Sequence, residues 1–488
     1  MAKKKSIFER LNSGRLNRKQ RRELGRKLVS NDPGLSIVNP NAGGIDVGNE
    51  SHFVAVPGDR DPHPVQEFGC WTDDLKRMGK WLLQCRIDTV ALQATGVYWI
   101  AIYNILTELG IRVVVVNAQH TKNVPGRKSD VQECQWLMKL HAYGLLRDSF
   151  HVAANIEKIR TIWRLRDQHV KNASEAVQHM QKALTTMNIQ IANVFKDISG
   201  VSGQAIIGAI LKGERDPYRL ADLKHERAEA SREEVARSLE GNWREDLLFQ
   251  LQQAVDSHQF AQKQMEQCDR KLKGYLASLP TQTIEIPNPA EQQEETGPKK
   301  KKAKKPPAKK RNKAQGNAPA WDLQAELKRI CGVDLTSIDG IGVMTAQTIV
   351  AELGTDLSAF PNEDQFASWL GLTPNHDITG GKVIRRGKRK VKNRVAQALR
   401  MAATSLKNSH SYLGGRYRHL CRQLPTKPAA VKAMAHYLAL LVYRLLTKGQ
   451  EWVDRGAANF EQKRNERELK NLKSRAMARG FLLTPIPA

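Results

Sequence analysis

A glycine-rich apolar run with one acid inside it, Ala42-Gly43-Gly44-Ile45-Asp46-Val47, constrains this chain more than any other stretch. The run stops at Gly48-Asn49 and resumes as His52-Phe53-Val54-Ala55-Val56, a pattern that predicts a β-hairpin. Asp46 then lies in the middle of a strand, where an ionised carboxylate is costly to bury unless a partner or a cation compensates it. Further on, Ser129-Asp130-Val131-Gln132-Glu133 carries two acids three residues apart, a spacing that puts both on one helix face. Taken alone, that pair reads as a solvated face.

Between the acids the chain alternates. Leu75 to Gln84 reads as helix, Asp88 to Leu92 as a short buried strand, Tyr98 to Leu109 as helix and Ile111 to Val116 as a β-branched strand. Helix continues from Gln135 to Leu146. Short loops between such elements imply a mixed α/β sheet covered by helices. A strand carboxylate facing a helical pair is how RNase H-like nucleases hold divalent metal on a phosphodiester. Across the hairpin His52 reads as structural, and Tyr98, Trp99 and Trp136 read as core.

Charge narrows the partners. With 78 Lys and Arg against 50 Asp and Glu, the formal net charge is +28, which favours a polyanion, nucleic acid before anionic membrane. No apolar run approaches the roughly 20 residues that span a bilayer. The start, Met1-Ala2-Lys3-Lys4-Lys5, has no apolar core of a secretory signal. Six scattered cysteines without a CxxC argue against a zinc finger and fit reduced thiols. These features fit a cytosolic protein that binds nucleic acid.

At 488 residues several domains are expected. Residues 1–40 form a basic arm and 41–150 the α/β domain. Residues 151–280, with apolar spacing of three and four at Ile162, Leu165, Val170, Ala176 and Met180, read as a helical coiled coil interrupted near Gly200 to Gly203. Residues 281–320 form a Lys-rich linker that cannot bury a core, with ten Lys or Arg from Lys299 to Lys313. Residues 321–457 are helical again, and 458–488 are a basic tail. Within the helical part, Asp339-Gly340-Ile341-Gly342 between apolar helices resembles a helix-hairpin-helix turn, which offers backbone N–H groups to phosphate. From Ile378 to Arg400 there are nine Lys or Arg and no acid, following Thr379-Gly380-Gly381. That absence of acids favours contact with a nucleic-acid backbone over a solvated face. Without further information, Thr379 reads as the N-cap of a basic helix.

Two blocks of motifs together resemble the IS110/IS1111 transposases, the DEDD recombinases. The first comprises Gly44-Ile45-Asp46-Val47, Ala94-Thr95-Gly96-Val97-Tyr98-Trp99, Val116-Asn117-Ala118, Gly126-Arg127-Lys128-Ser129-Asp130 and Cys134-Gln135-Trp136-Leu137. The second comprises Ile338-Asp339-Gly340-Ile341-Gly342, Trp369-Leu370-Gly371-Leu372-Thr373-Pro374 and Ile378-Thr379-Gly380-Gly381-Lys382. The resemblance implies a RuvC-like (RNase H fold) domain, a coiled-coil middle and a helical C-terminal transposase domain. It implies excision and integration of an insertion element by metal-assisted strand exchange, guided by a structured RNA. The cofactor implied is Mg²⁺, with Mn²⁺ able to substitute, and the assembly is a homo-oligomer, dimer or tetramer, with no membrane.

Carried onto this chain, the acidic tetrad falls on Asp46, Gln93, Asp130 and Glu133, and the hydroxyl nucleophile on Thr379. Metal ligands would be Asp46, Asp130 and Glu133. Nucleic-acid contacts would come from Arg127, Lys128, Gly340, Gly342, Gly380, Gly381, Lys382, Arg385, Arg386, Lys388, Arg389 and Lys390. Three positions depart from the pattern: Gln93 replaces a Glu, Glu133 an Asp and Thr379 a Ser. Glu133 keeps its charge, Gln93 keeps only a carbonyl oxygen, and Thr379 keeps a hydroxyl on a stiffer side chain. The departures leave two alternatives open: a domesticated nucleic-acid binder without activity, and a metal-dependent junction resolvase that uses water.

Overall fold

The computed structural model describes residues 36–94, 96–117, 129–282, 317–380, 382–387, 393–449 and 457–482. Most of the basic arm and of the Lys-rich linker, together with Arg127, Lys128, Gly381, Lys388, Arg389 and Lys390, lie outside the described residues. The chain divides into two units, residues 1–151 and 152–488.

The first unit runs β1 (Ala42–Val47), β2 (Ser51–Ala55), β3 (Val65–Gly69), α1 (Thr72–Gln84), β4 (Thr89–Gln93), α2 (Trp99–Glu108), β5 (Arg112–Val116) and α3 (Asp130–Ala142). Its five strands lie in the order β3-β2-β1-β4-β5. The first three pair antiparallel, and β1-β4-β5 pair parallel. Alternation along the strands then gives two faces. Ile45, Val47, Val90, Leu92, Val113 and Val115 join Leu75, Met78, Leu82, Ile102 and Leu106 in one core, beneath α1 and α2. Gly44, Ala91, Val114 and Val116 belong to the opposite face, where α3 packs on β1. Glycine permits that packing: a Cβ on Gly44 would stand 2.3 Å from both the Cys134 carbonyl oxygen and the Met138 amide nitrogen.

Edge strand β3 was not expected, because Val65-Gln66-Glu67-Phe68-Gly69 is too polar to read as strand from its residues. His52 opposes Val47, not Asp46, so it faces the α1–α2 core and not the acid. Trp136 is buried as expected, and Trp99 packs edge-on to Tyr103, but Tyr98 is exposed.

The second unit opens with α4 (Ala154–Thr186) and continues through α5 (Ile191–Val194), α6 (Val201–Leu211), α7 (Pro217–Ala221) and α8 (Arg232–Ser238) to α9 (Glu245–Ala277). Helices α4 and α9 have 33 residues each, enough for about 50 Å of length. They run antiparallel: Met180 shares a core with Leu251 and Ala254, Ala173 with Ala261 and Met265, and Arg166 pairs with Asp269. Helices α5 to α8 cap one end of the pair, adding Ile206, Ile207, Ile210, Leu220 and Val235 to the core that holds Met180 and Leu251. Gly200 therefore starts α6 and does not merely interrupt a coil. The buried stripe of α4 also differs from the expected one. Ile156, Ile159, Trp163 and Arg166 face inward while Leu165 is exposed. Arg166, 3% exposed, is compensated by two hydrogen bonds to Asp269 at 2.6 and 3.1 Å and one to the Asn317 carbonyl at 2.7 Å.

The remainder comprises α10 (Leu323–Cys331), a 3₁₀ turn (Leu335–Ser337), α11 (Val343–Leu353), α12 (Glu363–Trp369), β6 (Asn375–Thr379), β7 (Lys382–Gly387), α13 (Arg394–Ser405), α14 (Tyr412–Gln423), α15 (Lys427–Lys448) and α16 (Ala457–Met477). Helix α15 forms the centre, burying Ala430, Met434, Ala435, Leu438, Ala439 and Val442 among α12, α13 and α14. Among the described residues it alone is long and apolar enough to cross a bilayer, and 56% of its apolar window is buried here. Lys432 and Arg444 break its run, which is why the sequence shows no such stretch. The hairpin β6–β7 was not expected in a region read as wholly helical.

Candidate active site and nucleic-acid interface

Asp46 stands near the C-terminal end of β1, at the mouth of a cleft of about 350 Å³ lined by Asp46, Val47, Gly48, Asn49, Glu50, Ser51, Phe53 and Asp130. The side chain points to the α3 face, two residues beyond Gly44. Its carboxyl is raised from an ordinary 3.8 to about 6, first by burial, then by the charges of Glu133 and Asp130, against a hydrogen bond from the Val47 amide. The structure thus brings Asp46, Asp130 and Glu133 within electrostatic reach of one another.

Helix α3 supplies the other two acids through its first turn. Ser129 caps it, its hydroxyl oxygen accepting from the Gln132 amide at 3.4 Å, so the helix carries both acids as expected from Asp130, and it ends at Ala142, short of the expected Leu146. Acids there also gain from the helix dipole. Cys134 lies against β1, its thiol pushed up to about 12 by burial first and by Asp46 and Asp130 less strongly, and it donates to the Val131 carbonyl at 3.1 Å. It is a packing residue.

Gln93 ends β4. Since Gly44 pairs with Ala91 and Ile45 with Leu92 in parallel register, Gln93 occupies the position beside Asp46, on the same face of the sheet. It is 6% exposed. Three acids and an amide oxygen make a hard-oxygen donor set of the kind that suits Mg²⁺. Among the described residues, no three His, Cys, Asp or Glu side chains stand close enough to enclose an ion as they are. The donor chemistry and the mutual repulsion at Asp46 still fit a divalent cation, with Asp46, Asp130 and Glu133 as holders. Glu50 was missed: it lines the cleft as a further acid, and its place just past the Gly48-Asn49 turn was the available signal.

Behind the acids, His141 on α3 is buried and bonds through Nε2 to the Thr89 hydroxyl at 2.8 Å. Burial, and then Arg112, push it down to about 4 against the opposing pull of Asp148 and Asp88, so it is neutral at pH 7.

In the second unit, Thr379 closes β6 and pairs with Lys382, the first residue of β7. Gly380 has φ +57°, the left-handed conformation a hairpin turn needs. Thr379 and Lys382 are exposed. The N-cap expectation for Thr379 is wrong: α13 is capped by Asn393, whose side-chain oxygen accepts from the Ala396 amide at 3.1 Å. Arg385 and Arg386 lie on β7, paired with Asp377 and His376. Of the second Gly-x-Gly turn, Gly340 takes φ +88°, and a Cβ there would stand 2.9 Å from the Ala402 carbonyl oxygen, so it serves packing on α13. Gly342 is exposed at the N-terminus of α11 with open space beside it. The element before this turn is the 3₁₀ turn, not an apolar helix.

One ion network escaped sequence reasoning. Glu352 on α11 accepts two bonds from Arg164 of α4, at 2.8 and 2.6 Å. Arg394, first residue of α13, donates to Asp167 at 2.9 Å and lies 3.8 Å from Glu352. Arg164 and Glu352 are 188 residues apart in the chain, and Arg394 and Asp167 are 227 apart, beyond any local signal.

A transposase family model of the DEDD IS110 group matches residues 43–189, and a model of the transposase IS116/IS110/IS902 family matches residues 334–418. The two matches enclose the Asp46 cleft and the Gly340 turn together with the Thr379 hairpin. The chain belongs to the IS110 family of transposases. No curated protein matches it. As an IS110-family transposase it is a DNA recombinase, DNA is its substrate, and its five-stranded first unit is RuvC-like.

Proposed function

We propose that this transposase excises and integrates its element by strand exchange through the Thr379 hydroxyl, with a divalent cation held by Asp46, Asp130 and Glu133. The observation that carries this reading is the gathering of Asp130 and Glu133 around half-buried Asp46, whose carboxyl rises to about 6, first by burial and then by the charges of Glu133 and Asp130. Mg²⁺ there, or Mn²⁺ in its place, would supply the positive charge that offsets a scissile phosphate. Gln93 contributes a neutral oxygen. In the step itself, the Thr379 oxygen bonds to phosphorus and the bond to the 3′ oxygen breaks. The hydroxyl proton is lost as the departing oxygen gains one, leaving a phosphothreonine and a free 3′-hydroxyl. Reversal with a different 3′-hydroxyl completes the exchange.

Lys382, Arg385, Arg386 and the basic residues that follow hold the strand, and Gly380-Gly381 lets backbone approach it. We assign residues 41–150 to metal holding, 151–280 to spacing or subunit contact, and 321–457 to the nucleophile and DNA. A structured RNA encoded by the element as guide, and a dimer or tetramer as the working form, complete the reading. It places the protein at the DNA of a bacterial cytoplasm.

Trapping tests it. Purified protein with Mg²⁺ and duplex from the element's end should yield a covalent protein–DNA adduct, and Thr379→Ala should yield none. Cleavage without an adduct would establish a water-driven resolvase, and binding without cleavage a domesticated binder.

A further inference from the structure

Hairpin β6–β7 contains an irregularity with a use. Asp377 pairs with Arg385 but Ile378 pairs with Val383, so β7 has one residue more than its partner strand at this point, and that residue is Ile384. It is a β-bulge, a device that re-aims a side chain and recurs beside active sites. The Ile384 side chain is 70% exposed, on a hairpin whose surrounding window, 378–400, has nine Lys or Arg and no acid. Single exposed apolar residues are ordinary on protein surfaces. One displaced from its ladder by a bulge, on a strand with Lys382, Arg385 and Arg386 and only Asp377 as an acid across the hairpin, is not.

We propose that Ile384 is a wedge that enters duplex DNA beside the phosphate presented to Thr379, partly unstacking one base step. The deduction rests on the Thr379 reading for its location, and on hairpin geometry for its chemistry. Thr379 and Lys382 form the last pair before the turn, and Ile384 follows two residues along β7. Two strand residues span less than 7 Å, about the rise of two base pairs. A phosphate held at the turn therefore places Ile384 at a neighbouring step. Proteins that kink duplexes use the same combination, cations on the backbone and an aliphatic side chain between bases. β-branching suits the role, because a stiff χ1 holds the wedge in one direction. Unstacking would free the strand end for the exchange that follows. The partner is duplex DNA; a folded RNA is the competing occupant.

The full-length protein would be titrated into an element-end duplex carrying 2-aminopurine at successive positions around the cut. Wild type should raise the fluorescence several-fold at one step, Ile384→Met should retain most of the rise, and Ile384→Ala should lose it while still binding in anisotropy. Thr379→Ala should keep the rise and lose only the adduct, which separates the wedge from the nucleophile. Ile384→Ala should form the adduct slowly, and a mismatch at the affected step should restore the rate. An unchanged rise in Ile384→Ala, or slow adduct formation that no mismatch rescues, overturns the wedge even if Thr379 proves to be the nucleophile. A rise that depends on Ile384 without any adduct sustains the wedge and refutes the nucleophile. Absence of any rise on DNA, including transfer of the Ile384 effect to RNA binding, also overturns it.

Discussion

The Asp46 cleft and the Thr379 hairpin are built to opposite plans. Asp46 lies on β1, the central strand of the five, backed by a two-sided core, with α3 pressed so close that a Cβ at Gly44 has no room. Asp46 and Gln93 are placed there by packing, and exposed Asp130 by the capped first turn of α3. Thr379 stands at the tip of a two-stranded ribbon whose substantial pairing among the described residues is with itself, and isolated ribbons are marginal in water. It is held at its base, by Lys432 bonding to the Thr373 carbonyl at 3.3 Å and by Arg394 reaching Asp167 at 2.9 Å. The difference suggests a division of labour. Charges that repel need a rigid holder, and the proposed nucleophile, which would meet a long substrate, can be carried on an arm.

The sharpest way to break that comparison is Asp46→Asn. Activity should fall on the order of 10²–10³-fold, the usual cost of removing one preorganised electrostatic partner. The metal-free protein should become more stable, which a merely structural Asp would not allow. An acid whose folded carboxyl is raised to about 6 opposes folding increasingly as pH climbs from 3.8 through 6. Because the site is only half-buried, solvent screening reduces the gain at pH 7 to about 1 kcal/mol. Thermal unfolding with and without Mn²⁺ checks both parts. The wild type should gain from the ion and Asp46→Asn should not.

Packing supplies the next effect. In Gly44→Ala the new methyl meets backbone at 2.3 Å, which no rotamer can relieve. About 3 kcal/mol of destabilisation is expected, at the upper end for overpacking. Equilibrium urea unfolding measures it. If the cost stays below 1 kcal/mol with metal binding intact, α3 is not fixed by its contact with β1, and the rigid half of the comparison fails.

These elements differ in how much the sequence announced them. Strands β1, β4 and β5 were legible because runs such as Val113-Val114-Val115-Val116 have few alternatives to a buried strand, and Asp46 stood out by contrast within one. The acids of α3 were legible by spacing, while the end of the helix at Ala142 was not. The rest hid for physical reasons. Strand β3 alternates with polar residues because it is an edge. The β6–β7 hairpin was masked by its charge, and a one-residue bulge leaves no trace in composition. Arg166 took an inward place on α4 because Asp269 meets it from 103 residues away, so the apolar stripe could not be phased from local spacing.

A third effect is read by pH. His141 titrates near 4 when folded and near 6.5 when unfolded, so the unfolded chain binds its proton first as pH falls. The stability tied to its neutral form is complete above 6.5 and is lost between 6.5 and 4. Up to about 3 kcal/mol is at stake, with the first unit affected. His141→Gln should flatten that part of the stability–pH curve while leaving the hairpin's DNA contacts unchanged. If the slope between pH 6.5 and 4 is the same in wild type and variant, His141 is not the group that titrates.

The smallest expected effect tests the oddest member of the site. Gln93 neighbours Asp46 on the same face, where a carboxylate would add a ligand and also a repulsion. Without metal, Gln93→Glu adds a fourth charge to a cluster that already raises Asp46, so the variant should be less stable than wild type and Asp46 still harder to ionise. With Mn²⁺ the same charge becomes an advantage, and the ion should bind up to about tenfold tighter, or roughly 1.4 kcal/mol. The two changes have opposite signs and a common cause. Isothermal titration paired with metal-free melting distinguishes this from a general loosening of β4, which would weaken binding and stability together. Only if Gln93 shares the ion with Asp46 do the two readings diverge.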